Sequence, residues 1–296
     1  MFAIFDLSPS PALVARMKLR SAQLQMLPAI AIEAMQLAKN SECSIAEYAA
    51  VVERDVKLTS DVLKVANSAA YCHSVPIVNL QQAVMRLGLR GCQNLILTAS
   101  FTGLMNRVSV KHEKIRGVLW QHSYNTALLA THLNKTFQMG FEGEEFVGGL
   151  LHDFGRVLLA ILEPERFSEI DPLDFDETPE RLVWEDELIG TDHCRFGAWY
   201  AIQQKLPSPI PNVILWHHQP EEAQENQKLV ALIAVADHMA NHLHRFQVSN
   251  GYDPLSNPFV PILAKFSNAP FADQFVAASW ELMDKTMRHS QAVTEM

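Results

Sequence analysis

Cysteine is scarce and scattered in this chain: Cys43, Cys72, Cys92 and Cys194 stand far apart and form no CxxC pair. That argues against a disulfide framework or a zinc ribbon and predicts reduced thiols in the cytoplasm. No Lys- or Arg-rich run is present, and the formal net charge is −9, so binding along a nucleic-acid backbone is not expected. Residues 1–20 lack a basic start followed by an apolar core, so no secretory signal is read there. The uncharged stretch 91–106 contains Gln93, Asn94, Thr98, Ser100 and Thr102. It is too short and too polar for a membrane span, and no membrane partner is expected. Strand-like alternation is scarce, and there is no internal repeat or low-complexity segment.

What remains is helical. The chain has 296 residues, 48% of them hydrophobic, enough to bury a sizeable core in one large or two modest domains. Ile30, Ala31, Ala34, Met35 and Ala38 follow Leu27-Pro28 with amphipathic spacing. Ser44, with Glu47 three residues on, reads as a capping box. Thr59 or Ser60 is the expected cap of the next helix, and Asn79 of the one after, which Gly88 ends. Leu95 to Met105 reads as a further buried helix. A second helical block follows, with helices predicted at 113–137, 144–161, 191–205, 209–219 and 227–245. Ser208 as N-cap with Pro209 at the first helical position fits the start rule for the fourth of these. The acidic, Pro-containing stretch from Glu163 to Glu180 reads as a surface loop. The prediction is an all-α fold of two packed helical lobes, 1–110 and 111–248. A connector and C-terminal helix, 249–296, complete the chain; the helix, about 270–288, is a candidate homodimer contact.

The chemistry-bearing residues collect in the second block. His152 and Asp153 are adjacent within Gly149-Leu150-Leu151-His152-Asp153-Phe154-Gly155-Arg156, on a stretch with an apolar helical arc. A carboxylate at the edge of such an arc is costly unless it is paired, hydrogen-bonded or metal-bound. The three glycines Gly148, Gly149 and Gly155 are tolerable in a helix if another backbone approaches closely. Taken alone, the pair is equally explained by a salt bridge from Asp153 to Arg156 beside an ordinary core histidine. His122, His193, His217, His218 and Asp237 add to it. Each has its own bland explanation: a core histidine, a favourable charge at a helix end, a buried ion pair. Their coincidence on helices that can face one another points instead to a divalent-metal site. Nitrogen and oxygen donors suit Fe, Mn, Ni or Zn, and the lack of cysteine among them argues against a structural zinc site. His238 and His242 have i, i+4 spacing, but Met239 stands where the HExxH motif has its Glu. They read as a solvated polar face, and so does Glu185-Asp186-Glu187, although Glu185 is within reach of His193.

These residues resemble a known family. His122, His152-Asp153 and Asp237 are similar to the H…HD…D signature of the HD phosphohydrolase superfamily. With His193 and His217-His218 they follow the ligand order of its HD-GYP branch, which implies a two-ion centre. The first block resembles the HDOD family, the HD-related output domains. The likeness rests on Leu63-Lys64-Val65-Ala66-Asn67-Ser68-Ala69-Ala70-Tyr71, then Ile77, Leu80, Ala83, Val84, Leu87 and Gly88. Further on, Gly190, Asp192-His193, Gly197-Ala198, Leu206-Pro207 and Trp216-His217-His218 extend it. The resemblance implies an all-helical bacterial signalling or regulatory protein with a protein partner. Many members lack the full ligand set, whereas all seven positions are filled here. Three departures stand out. Gln219-Pro220-Glu221-Glu222 replaces the Gly-Tyr-Pro segment, Arg156 stands where a Lys is usual, and Val56 where Pro follows Asp. The first two weigh against hydrolysis of cyclic di-GMP.

Two functions follow. One is a regulatory module whose metal holds or switches the second lobe. The other is a metal-dependent phosphohydrolase acting on a phosphate-containing small molecule, in which Asp153 bridges the ions and Arg156 contacts phosphate. No base stands out for that reaction, Glu185 being the one candidate.

Overall fold

Side-chain caps set several of the helix starts. The computed structural model describes residues 7–19, 27–38, 40, 42–67, 75–107, 113–176, 179–267 and 270–294, and among them every regular element is a helix. Ser68-Ala69-Ala70-Tyr71, Cys72 and residues 108–112 lie outside the described set. Helix α1 spans Pro11–Leu19, α2 Ala29–Leu37 and α3 Ile45–Glu53. The predicted capping box opens α3: Glu47 N donates to Ser44 Oγ at 3.1 Å, and Ser44 N to Glu47 Oε2 at 2.9 Å. Helix α4, Val56–Ala66, begins earlier than Thr59 or Ser60 would place it. Asp55 caps it, accepting from Leu58 N at 2.9 Å, while the Thr59 hydroxyl donates to Val52 O. Asn79 caps α5, Leu80–Met105, as expected. Gly88 (φ 69°) ends the first segment of α5, but the chain resumes helical geometry at once and forms one kinked element.

In the second block α6 spans Glu113–Thr136, α7 Glu144–Leu151 and α8 Phe154–Leu162. The single helix expected over 144–161 is therefore two. Asp153 leaves helical geometry (φ −91°, ψ 22°), so the HD pair sits at a break. The apolar periodicity continues across it and conceals it in the sequence. The stretch 163–180 is not a plain surface loop either. It contains α9, Phe167–Ile170, and buries Phe167, Ile170, Asp171 and Phe175. Helices α10, Pro179–Ile189, and α11, His193–Gln203, follow, the latter capped by Asp192. Helix α12, Ile210–Trp216, starts one residue later than predicted. Pro209 occupies its cap position, and Ser208 Oγ instead accepts from Asn226 Nδ2 at 3.3 Å. Helices α13, Gln227–Phe246, α14, Val260–Ala264, and α15, Phe271–Thr294, complete the described chain. No described helix is long and apolar enough to cross a membrane.

Two packing features bring the histidines and aspartates of the second block together. Helix α13 is enclosed on all sides over one stretch: Val230 to Ala236 are seven consecutive residues with no exposed surface. Asp237 is the next residue, so its carboxylate enters an apolar interior. The glycines of the HD stretch mark near contacts of backbones, as anticipated. A Cβ on Gly149 would stand 2.6 Å from Ala127 Cα of α6. A Cβ on Gly155 would collide with the His193 carbonyl of α11, and one on Gly197 would stand 2.7 Å from Gly155 N. Four helices, α6, α7, α8 and α11, thus meet at backbone distance around residues 149–155.

Candidate metal centre

Those close crossings gather the imidazoles and carboxylates at one place. His122 comes from the middle of α6, His152 and Asp153 from the α7–α8 break, and His193 from the first position of α11. His217 and His218 come from the end of α12, and Asp237 from α13. Six of the seven are at most 2% exposed, and His218 is half-buried. His122 Nε2 lies 3.2 Å from His152 Nε2, and Asp237 Oδ1 lies 3.0 Å and 3.2 Å from those two nitrogens. Asp153 Oδ2 stands 3.6 Å from His122 Nε2 and 3.5 Å from His152 Nε2. Its other oxygen, Oδ1, faces His193 Nε2 at 3.6 Å and His217 Nε2 at 3.7 Å. His218 Nε2 lies 3.3 Å from His193 Nε2. Every sequence-predicted ligand position is in this one cluster.

The residues fit a divalent cation on several grounds. Donor atoms held about 2.1 Å from one ion sit roughly 3.0–3.4 Å from their neighbours in octahedral or tetrahedral geometry, close to the separations seen. The outer ring nitrogens of three histidines are anchored so that Nε2 points inward. His152 Nδ1 lies 2.7 Å from Gly149 O, His217 Nδ1 3.0 Å from Ile214 O, and His193 Nδ1 2.8 Å from Glu185 Oε2. Asp153 Oδ1, Asp237 Oδ1 and His217 Nε2 are buried and have no hydrogen-bond partner. Leaving such groups unsatisfied costs about 1–3 kcal/mol each, and a shared cation removes that cost.

The charges agree. Burial pushes the pKa of His122 and His217 down and that of His218 to about 3, which favours the neutral imidazole that ligates metal. Burial opposes ionisation of Asp153 and Asp237. The Arg156 guanidinium and His152 outweigh it at Asp153, and His152 and His122 at Asp237, so both acids stay well below the usual carboxylate range. Burial likewise opposes a charge on His152, but Asp153 and Asp237 prevail and raise its pKa to about 9. A cation entering here displaces that proton.

Arg156 combines both readings of the sequence. It does pair with Asp153 (Nη1 to Oδ2, 2.8 Å), and it also grips Asp171 through Nε at 2.7 Å and Nη2 at 3.1 Å. The Phe175 ring lies over its guanidinium at 4.5 Å and stacks beside His122, with ring centroids 4.2 Å apart.

Three features escaped the sequence, and a fourth, Glu185, was read only in its reach to His193 and not in its burial. Glu185, in the acidic run read as surface, is buried and accepts from both His193 N (2.7 Å) and His193 Nδ1. It is spent on orienting that histidine and is not a free base. Cys194 is an exception to the cysteine-free donor set, since its sulfur joins the His193, His217 and His218 nitrogens in one cluster. A cleft of about 640 Å³ opens over His193, His218 and Asp237 and is walled by Arg156, Arg181, Arg245, Asn241 and Tyr252. His238 and His242 line this cleft too, rather than a solvated face. Their i, i+4 spacing was the available signal; the two extra arginines carried none.

Glu185→Gln tests the orienting role. Glutamine retains an oxygen for the two donors but removes the charge. Metal affinity, read by competition with a chelator, is expected to fall about 10–100-fold, with thermal stability of the metal-free protein little changed. Unchanged affinity would reduce Glu185 to a structural brace at the start of α11.

Known proteins share this architecture. The HDOD domain family matches residues 24–220. An uncharacterised protein of Treponema pallidum (strain Nichols) is 28% identical over 216 residues, 72% of this chain and 41% of the relative. The chain thus spans less than half the length of that relative. An HDOD domain protein of unknown function from Geobacter sulfurreducens superposes with a TM-score of 0.66 at 24% identity, over 94% of this chain and 97% of the other. A Shewanella amazonensis SB2B protein provisionally named a phosphohydrolase does so with a TM-score of 0.63 at 20% identity, over 94% and 97%. At these identities the superpositions speak for the fold alone.

Proposed function

The chain belongs to the HDOD family, and from that premise we propose that it carries a two-cation centre built around Asp153 and hydrolyses a phosphoester there. The observation that carries this reading is the orientation of one carboxylate. Asp153 presents Oδ2 to His122 and His152, and Oδ1 to His193 and His217, the arrangement of a ligand shared by two ions. His122, His152 and Asp237 would hold one ion; His193, His217 and His218 would hold the other. Fe, Mn, Ni or Zn suits these donors. Such cations supply a nucleophile at neutral pH and offset negative charge on a phosphoryl oxygen.

The chain's own contribution is binding and orientation. Arg181 and Arg245 stand on the cleft wall, tied to Asp174 at 2.9 Å and Asp176 at 3.1 Å. A phosphate-containing ligand competes with those carboxylates for the guanidinium groups. Arg156, fixed in the plane set by Asp171, offers a forked donor to a phosphoryl group in place of Asp153.

A second reading has its own support. Asp171 is committed to Arg156, Glu185 to His193, and Phe175 covers Arg156 and His122. A centre so arranged suits a regulatory module that binds its ligand without turnover and passes a change of shape to a protein partner.

Elemental analysis of protein purified without chelator is expected to find about two equivalents of cation. Phosphomonoesters, nucleotides and cyclic nucleotides are then assayed, with Asp237→Asn as control. Turnover lost in the variant supports the hydrolase, while binding without turnover supports the regulatory module. Metal-free protein that cannot be loaded would sink both.

A further inference from the structure

Cys194 follows His193 on α11 and is 3% exposed. Its Sγ belongs to a set of four donor atoms, with one nitrogen each from His193, His217 and His218, all within 4.8 Å of one another. A buried cysteine is often only a small apolar filler, and proximity alone would not raise this one above that. A second observation does. His217, also fully buried, directs an Nε2 with no hydrogen-bond partner toward Asp153 Oδ1, 3.7 Å away. On the other side of Asp153 the neighbouring donors are His122, His152 and Asp237, with His217 within reach of the last two, all nitrogen and oxygen.

We propose that Cys194 is a metal ligand on the His193–His217–His218 side, so that the centre has one sulfur-containing position and one nitrogen–oxygen position. The proposal rests on the metal-centre reading above and adds to it a chemical difference between the two positions. Neighbouring donors around one ion, with metal–nitrogen about 2.1 Å and metal–sulfur about 2.3 Å, lie roughly 3.0–3.7 Å apart. The observed set, within 4.8 Å, therefore needs to close by about 1 Å to hold an ion. On binding, sulfur donates an electron pair to the cation and the thiol proton passes to solvent; nothing is oxidised or reduced. A thiolate in the donor set favours Zn²⁺ or Fe²⁺ over Mn²⁺, while the nitrogen–oxygen position discriminates less. A mixed complement of metals follows.

Cobalt(II) titration reads this directly. Wild-type protein is expected to show a sulfur-to-cobalt charge-transfer absorption in the near ultraviolet for one of its two equivalents. Cys194→Ala is expected to lose that absorption, and Cys194→Ser to lose it while keeping an oxygen in place. Zinc affinity on that side is expected to fall by more than the roughly tenfold that a lost outer contact costs. Circular dichroism of the metal-free variants establishes that they are folded, and the serine form serves where alanine leaves a cavity. Cobalt bound to wild type without a sulfur signature, or with one that persists in both variants, would overturn the role of Cys194 and leave the metal centre intact. Failure of wild type to bind cobalt would overturn both.

Discussion

Asp153→Asn is expected to strip the protein of both of the cations proposed above, whereas Asp237→Asn should weaken mainly the His122–His152 side. The asymmetry follows from placement: Asp153 turns one oxygen to each half of the cluster, while Asp237 Oδ1 approaches His122 and His152. Asparagine fills the same volume and retains one oxygen, but it supplies no negative charge to share between two ions. Elemental analysis after dialysis against equal buffers reads the difference. Equal losses from the two variants would remove Asp153 from its bridging position.

The same substitution has a signature in the metal-free protein. His152 has its pKa raised to about 9 by the carboxylates beside it, against the effect of burial. A raised value in the folded state means stability that is full below the ordinary histidine range, about 6.5, and lost as the pH climbs through about 9. Metal-free wild type is therefore expected to unfold more easily at pH 9 than at pH 6.5, and Asp153→Asn to flatten that slope. Loss of Asp153 also removes one carboxylate partner from the buried Arg156, which keeps its contact with Asp171. Removing one partner from a buried pair costs about 3–5 kcal/mol, and the surviving Asp171 contact places the expected cost at the lower end.

Gly155→Ala carries the second large effect. The new methyl group would collide with the His193 carbonyl oxygen, with the His193 carbonyl carbon at 2.6 Å and Cα at 2.9 Å. All three are backbone atoms at the start of α11, so no side chain can yield. Helices α8 and α11 must separate, a case of overpacking that costs about 1–3 kcal/mol or more. In a chain of this size that lowers Tm by roughly 2–5 °C. The separation also draws His193 away from Asp153, so the extra stability conferred by metal should shrink with it. Thermal unfolding with and without chelator measures both. An unchanged Tm would mean that the α8–α11 crossing is not the constraint on the centre.

His122, His152-Asp153 and Asp237 were readable in the sequence as polar groups within apolar helical stretches, and His193 and His217-His218 by their coincidence with them and by the ligand order they resemble. Gly149 and Gly155 were likewise readable as local anomalies. The break at His152–Asp153 was not, because apolar periodicity runs through it without a proline or a change of period. The segment 171–176 was misread because an acidic, proline-containing stretch has the composition of a loop. Only the partner of Asp171, fifteen residues back at Arg156, explains why it is buried. The reach of Glu185 to His193 was legible but its burial was masked by acidic neighbours, and Cys194 had no second cysteine to give it a spacing. Arg181 and Arg245 reach the cleft through tertiary packing and have no local signature.

The ring of Phe175 has a consequence for any measured affinity. It lies against both His122 and Arg156, and the flanking Asp174 and Asp176 hold Arg181 and Arg245. The segment 171–176 thus competes with an anionic ligand for the same guanidinium groups, at an effective concentration that no dilution lowers. A ligand that needs Arg156 free binds only the open fraction of molecules, and its apparent Kd is the intrinsic value divided by that fraction. If one molecule in a hundred is open, the apparent affinity is about 100-fold weaker than the pocket itself allows.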